Sequence, residues 1–194
     1  MNSILKKYNI QGGFLALVGL MLATRVHHFG SAFSLPDASL IVFFLSGLFF
    51  NRLPLFIFLL CEAALIDYVA ITHFGVSSFC VSPAYVALIP TYGVMWLAGD
   101  YCAKFKTLNR SEMYAQFVVL FLGTSVAFLI SNGSFFLFSG RYPNADFATY
   151  LNRVAMYYPP YVSATLIYGL VIGAGIKIFR AISAESEESA NITH

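Results

Sequence analysis

Residues 53–101 read LPLFIFLLCEAALIDYVAITHFGVSSFCVSPAYVALIPTYGVMWLAGDY. Two apolar runs, Leu53 to Thr72 and Ala84 to Tyr101, flank an uncharged turn from Thr72 to Pro83. Each run approaches the roughly 20 residues that a helix needs to cross a hydrocarbon core. Pro54 opens the first run and Pro83 precedes the second, positions where a missing N–H is tolerated. Pro90 lies inside the second run and predicts a kink. The stretch therefore reads as two membrane helices joined by a short turn.

The same pattern extends in both directions. Four more runs qualify: Tyr8 to Val26, Ala38 to Phe50, Met113 to Phe138 and Val154 to Phe179. Pro36 precedes the second helix, which is short and predicts a tilted or partly re-entrant segment. Pro159-Pro160 predicts an irregular start to the sixth. The 194 residues are 59% hydrophobic and only 10% charged, against about 25% charged in a soluble domain, and mean hydropathy is +0.75. The expected fold is an all-α integral membrane protein. Six transmembrane helices occupy residues 1–183, and a disordered tail, residues 184–194, carries Glu185, Glu187 and Glu188. A net charge of +2 without a basic stripe gives no reason to expect nucleic acid. The first run follows Lys6-Lys7 but leads to Arg25-Val26-His27-His28 with no small-x-small pattern, which argues against a cleavable signal peptide.

Orientation follows from the basic residues. With the N-terminus in the cytoplasm, Lys6, Lys7, Arg52, Lys104, Lys106, Arg110, Lys177 and Arg180 fall inside, against Arg25, Arg141 and Arg153 outside. Both termini are therefore expected to be cytoplasmic. This topology sorts the three cysteines. Cys102 falls at an inner helix end and Cys61 lies about 12 Å into the third helix, and both read as small buried apolar residues. Cys80 alone falls on the outer turn, with no partner for a disulfide at its depth. A thiol placed there is a soft metal ligand or a nucleophile once it ionises.

Ionisable residues at membrane depth are functional candidates. Asp67 lies in the outer half of the third helix. Glu62, five residues earlier, points about 140° away, so the two do not form a catalytic pair. Arg153 stands at the outer end of the sixth helix, placed to neutralise Asp67 or to meet amide and phosphate groups of a ligand. His27 and His28 end the first helix on the same side, and Tyr85 sets a hydroxyl one turn beyond Cys80. Aromatic residues, among them Phe79, Phe135, Tyr142 and Tyr157, crowd the outer connections beyond what an interfacial belt requires. Together they predict a large, mostly apolar outer cavity with a few polar contacts. Asp100 and Lys104 are spaced as a surface i,i+4 ion pair. Gly12, Ala16, Gly19 and Ala23 share one face of the first helix and permit close helix approach, within the chain or to another subunit. No phosphate-binding loop is present, so the chain itself offers no nucleotide site, and neither H-E-x-x-H nor G-x-S-x-G occurs.

Six short helices, a small-residue face on the first helix and an outer pocket resemble the substrate-binding S-components of energy-coupling-factor (ECF) transporters. The connection Ser77-Ser78-Phe79-Cys80-Val81-Ser82-Pro83-Ala84-Tyr85, with the turn Pro36-Asp37-Ala38-Ser39, resembles the BtuM-type cobalamin (vitamin B12) transporters over nearly the whole chain. The resemblance implies a bacterial inner-membrane carrier of cobalamin or cobinamide that faces the periplasm. It further implies that Cys80 is the axial ligand to the corrin cobalt, with His28, Phe79, Asp67, Tyr85 and Arg153 near that ligand; Arg153 would then favour the thiolate, and Asp67 and Tyr85 would take or relay its proton. A thiolate in place of the lower base pushes electron density through cobalt, which predicts labilisation of an upper cyanide. The face of Gly12, Ala16, Gly19 and Ala23 could dock an ECF coupling subunit with its ATPases, as in related S-components; equally, the chain could act alone or as an oligomer. The alternatives are an S-component for a different vitamin, an intramembrane thiol enzyme, and a membrane scaffold that assembles through its glycine faces.

Overall fold

The computed structural model describes residues 2–25, 35–105, 109–143 and 146–192, with side chains described for all of these except 2–10, 80, 179–181 and 183–192. Among the described residues the chain is all-helical: α1 (Asn2–Arg25), α2 (Ser39–Phe49), α3 (Leu53–His73), α4 (Leu88–Cys102), α5 (Arg110–Phe138) and α6 (Phe147–Ile192). Two short 3-10 turns, Ser78–Cys80 and Pro83–Ala87, fill the connection between α3 and α4. Among the described residues, three segments are long and apolar enough to cross a membrane: α3, α5 and residues Phe147–Ile178 of α6. The fourth apolar run becomes a 3-10 turn followed by a 15-residue helix.

The ends of these helices follow from their cap residues. Gly75, at φ 67°, closes α3: the N–H groups of Phe74 and Val76 both reach the Ala70 carbonyl at 3.1 Å, a left-handed glycine cap that releases the chain into the turn. Asn51, at φ 42°, plays the same part after α2. Asn109 caps α5, its side-chain oxygen accepting from the Glu112 N–H at 2.8 Å. Asp146 caps α6 by accepting from both the N–H (2.9 Å) and the hydroxyl (2.7 Å) of Thr149. Those bonds, the backbone one first, hold the Asp146 carboxyl below its ordinary range. Pro159 and Pro160 lie inside α6 rather than interrupting it, and the helix continues to Ile192, through nine of the eleven residues of the segment read above as a disordered tail.

The core is organised around α2. Every residue from Ser39 to Gly47 is buried, as expected of a helix that is apolar on all sides. It packs most closely on α4, where two glycines bring backbone onto backbone. A Cβ on Gly47 would lie 2.0 Å from the Trp96 carbonyl oxygen, and one on Gly99 would lie 1.9 Å from that of Phe44. The rings of Phe43 and Tyr92 stack across the same contact, 4.3 Å apart and 8° from parallel. By contrast, Gly12, Ala16, Gly19 and Ala23 are all exposed on α1, and nothing lies within 4 Å of a Cβ built on Gly12 or Gly19. That small-residue face takes no part in internal packing.

One expected pairing and one expected burial are not met. Lys104 does not pair with Asp100: its ammonium lies 3.3 Å from the centre of the Tyr101 ring, a cation–π contact. Cys61 is exposed and Cys102 buried, so only the latter is a buried apolar residue.

Candidate functional site

The last residue of α1 anchors the site. Arg25 is 1% exposed, which in an apolar protein demands partners for a charge and five N–H donors. The structure supplies them from three other elements. Asp67 on α3 accepts a bidentate pair, Nε to Oδ1 at 2.8 Å and one Nη to Oδ2 at 2.7 Å. The other Nη donates to Ser39 Oγ and to the Tyr92 hydroxyl, both at 2.7 Å, and lies 3.4 Å from Asp37. Asp37 in turn accepts from the Ser39 N–H and hydroxyl at 2.9 and 2.6 Å. The Tyr85 hydroxyl donates to Asp67 Oδ2 at 2.7 Å. One guanidinium thus ties together α1, the start of α2, α3 and α4, and fixes the 3-10 turn through Tyr85. Two carboxylates face one cation, so the cluster carries an excess negative charge when both are ionised.

Above this cluster opens a cavity of about 300 Å³. Its floor is Arg25, Asp67 and Tyr85; its walls include Ser77, Phe79 and Val81 of the turn, and Phe128, Asn132, Phe135, Arg153, Tyr157 and Tyr161 of α5 and α6. Arg153 is held by rings: its guanidinium lies 4.6 Å from the Tyr142 centroid, 4.9 Å from Tyr157 and 5.5 Å from Phe135, and one Nη donates to the Tyr142 hydroxyl. Its Nε is buried without a partner, as is Asn132 Oδ1. The turn is clasped from the opposite side, with Arg141 over Phe79 at 4.8 Å and Phe79 against Phe135 at 5.6 Å.

Four of the residues singled out from the sequence, Asp67, Phe79, Tyr85 and Arg153, therefore meet at one cavity. Arg153 and Asp67 do not pair, because Arg25 already occupies both carboxylate oxygens of Asp67. Glu62 is absent from the cavity: it lies on the buried face of α3 with Leu59 and Ile66, and neither carboxyl oxygen has a partner. Cys80 contributes its backbone to the first 3-10 turn; its side chain, and all of His28, lie outside the described residues. The three neighbours of Cys80 named above, Ser77, Phe79 and Val81, face the cavity. No cluster of three or more metal-ligating side chains occurs among the described residues. As site residues Arg25, read above only as an outer-face cation, Asp37 and Ser39, read only as part of a turn, and Tyr92 were not singled out in the sequence. The signal was an arginine ending an apolar run, a position that calls for a buried carboxylate.

No family model and no curated protein matches the chain.

Proposed function

We propose that the chain is a six-span carrier of a corrinoid, cobalamin or cobinamide, in a bacterial inner membrane. In this reading both termini are cytoplasmic, and the cavity faces the periplasm. The observation that supports it is the convergence of Asp67, Phe79, Tyr85 and Arg153 on one aromatic cavity whose rim is the Cys80 turn. Aromatic and apolar walls suit the face of a macrocycle. The unpartnered donor at Arg153 Nε and acceptor at Asn132 Oδ1 match the two ends of a carboxamide, the group that fringes a corrin.

Cys80 is the proposed axial ligand, bound through its thiolate in place of the lower base. Arg153, which lines the cavity, supplies positive charge that favours the thiolate, whereas Arg25 is already neutralised by Asp67 and Asp37. Asp67 is held by Arg25 and Tyr85, so its role is to fix the floor rather than to serve as a free base. With cyanocobalamin, the proposed step is a ligand substitution. The sulfur lone pair forms the Co(III)–S bond as the lower-base Co–N bond breaks; trans to it the Co–C bond then breaks with both electrons leaving on cyanide, the thiol proton departs with it as hydrogen cyanide, water takes the vacated upper position, and cobalt stays Co(III). The exposed face of Gly12, Ala16, Gly19 and Ala23 is the proposed docking surface for a transmembrane coupling subunit with its ATPases.

The test is an absorption spectrum of the purified protein loaded with cyanocobalamin. Wild type is expected to show a corrin band displaced from both the free and the aquo forms, and Cys80→Ala to lose that displacement. Identical bound spectra for the two proteins exclude thiolate ligation. A second reading draws on the cavity volume, about 300 Å³, at the lower end for ligand pockets. A whole corrinoid exceeds it, so part of the ligand would remain at the mouth; a smaller vitamin would fit entirely. Failure of the protein to retain any corrinoid, with Cys80 intact, favours that smaller ligand.

A further inference from the structure

A second cavity, about 570 Å³, lies at the other ends of α5 and α6, between them and α2. Its walls are apolar, with Phe44, Leu48, Phe117 and Ile172 prominent, and its polar groups are Gln116 and Lys177. Nothing lies within 4 Å of a Cβ built on Gly173, which leaves the groove open on its α6 side. The Lys177 ammonium rests 3.9 Å from the Met113 sulfur, a weak acceptor, while both ion pairs among the described residues belong to Arg25. Lys177 follows Arg153 by 24 residues on one helix, about 36 Å along its axis, so the two cations stand roughly one hydrocarbon thickness apart.

The geometry points to a binding site for one anionic phospholipid, its acyl chain in the groove and its phosphate on Lys177. The shape decides against a helix from a partner or a second copy. A helix about 11 Å across would fill this volume with about one turn, whereas a flexible acyl chain can lie along it. The charge decides the headgroup: an ammonium at the rim of a basic inner face attracts an anionic lipid and gives its phosphate charge-assisted hydrogen bonds. The site does not depend on what the first cavity binds.

Native mass spectrometry of the purified full chain, incubated with equal amounts of dioleoylphosphatidylglycerol and dioleoylphosphatidylcholine, tests it. Wild type is expected to retain phosphatidylglycerol in excess. Lys177→Gln, an exposed change that leaves the fold intact, should cut that preference about fivefold. Gly173→Phe should abolish retention of both lipids by filling the groove. Equal retention of the two lipids by wild type overturns the proposal, as does an undiminished preference in Lys177→Gln. A preference that survives in folded Gly173→Phe places the lipid elsewhere and also overturns it. A lipid-free dimer that Gly173→Phe dissociates makes the groove a protein interface instead. Should Gly173→Phe fail to fold, the Lys177→Gln comparison decides alone.

Discussion

Replacing Arg25 with methionine keeps an unbranched side chain of similar reach and deletes the charge and every donor. Asp67 then loses the bidentate pair and keeps only Tyr85; Ser39, Tyr92 and Asp37 lose their shared partner. Removing one member of a buried ion pair costs about 3–5 kcal/mol. The side chains of Asp67 and Asp37 are 14% and 24% exposed, so some solvent reaches the abandoned charges. The expected loss is therefore near the lower bound, about 3 kcal/mol. Removing the carboxylate as well, in Arg25→Met with Asp67→Leu, should recover about 2 kcal/mol, because the uncompensated charge on α3 is gone. Recovery stays incomplete because Asp37 has still lost the Arg25 cation and the Tyr85 hydroxyl has lost its carboxylate acceptor. The assay is reversible unfolding of the detergent-solubilised chain in an SDS titration, followed by the fluorescence of Trp96. That residue is the only tryptophan and packs 5.6 Å from Phe56 in the core. An Arg25→Met protein as stable as wild type, or a double variant no more stable than the single one, refutes the claim that this pair holds the four elements together.

Three further outcomes follow from the same geometry. Gly99→Ala sets a Cβ 1.9 Å from a backbone oxygen of α2, which no rotamer change relieves, and should cost about 1–3 kcal/mol in the same titration; wild-type stability would mean that α2 and α4 are not in backbone contact. Tyr85→Phe removes one bond to a carboxylate and should cost about 1.5 kcal/mol without unfolding the chain, and a null effect in the titration would mean that Asp67 does not hold this turn. At Asp146 the folded carboxyl is depressed by the Thr149 bonds, so the cap stabilises fully above the unfolded carboxylate pKa of about 3.9 and is lost as pH falls through the lower folded value. Hydrogen exchange at the Thr149 amide should accelerate over that window in wild type but not in Asp146→Ala, and equal acid sensitivity in both would remove the carboxyl from the cap.

Helix positions were legible because apolar run length and proline placement are local properties: α3 begins at Leu53, as its run does, and α5 ends at Phe138, as its run does. What the runs hid was which helix sits inside. The run from Ala38 to Phe50 is the shortest and the helix in it is the most apolar, but apolarity alone does not say whether protein or lipid covers it. Its burial is decided by Gly47 and Gly99, 52 residues apart and each unremarkable in its own run. The small residues that did form a visible pattern, from Gly12 to Ala23, face outward instead, because spacing reports a shared face and not what covers it. The site shows the same division. Depth along each run predicted that Asp67, Tyr85 and Arg153 share one end of the molecule, and helical phase correctly separated Glu62 from Asp67. The partner of Asp67 was not deducible from depth, since Arg25 and Arg153 stand at the same level. The choice between them is made by the inward face of α1, which carries Leu17, Met21 and Arg25 in register.

That choice bears on how the cavity works. A buried ion pair contributes little net stability compared with apolar residues of the same volume, so Arg25 and Asp67 are poorly explained as cement. Their value is positional. With both oxygens of Asp67 occupied and Tyr85 tied to one of them, the floor of the cavity has no loose polar group and cannot shift without breaking several charge-assisted bonds. The wall opposite is built differently: Phe79, Arg141, Phe135 and Arg153 meet through ring contacts, which are weaker and tolerant of sliding. A rigid floor under a yielding rim directs any opening needed by a large ligand to the turn from Ser77 to Val81. The Cys80 backbone travels with that turn. In the proposed corrinoid reading, a ligand bonded to its sulfur would be gripped by the ring-packed side of the pocket and measured against the ion-paired one.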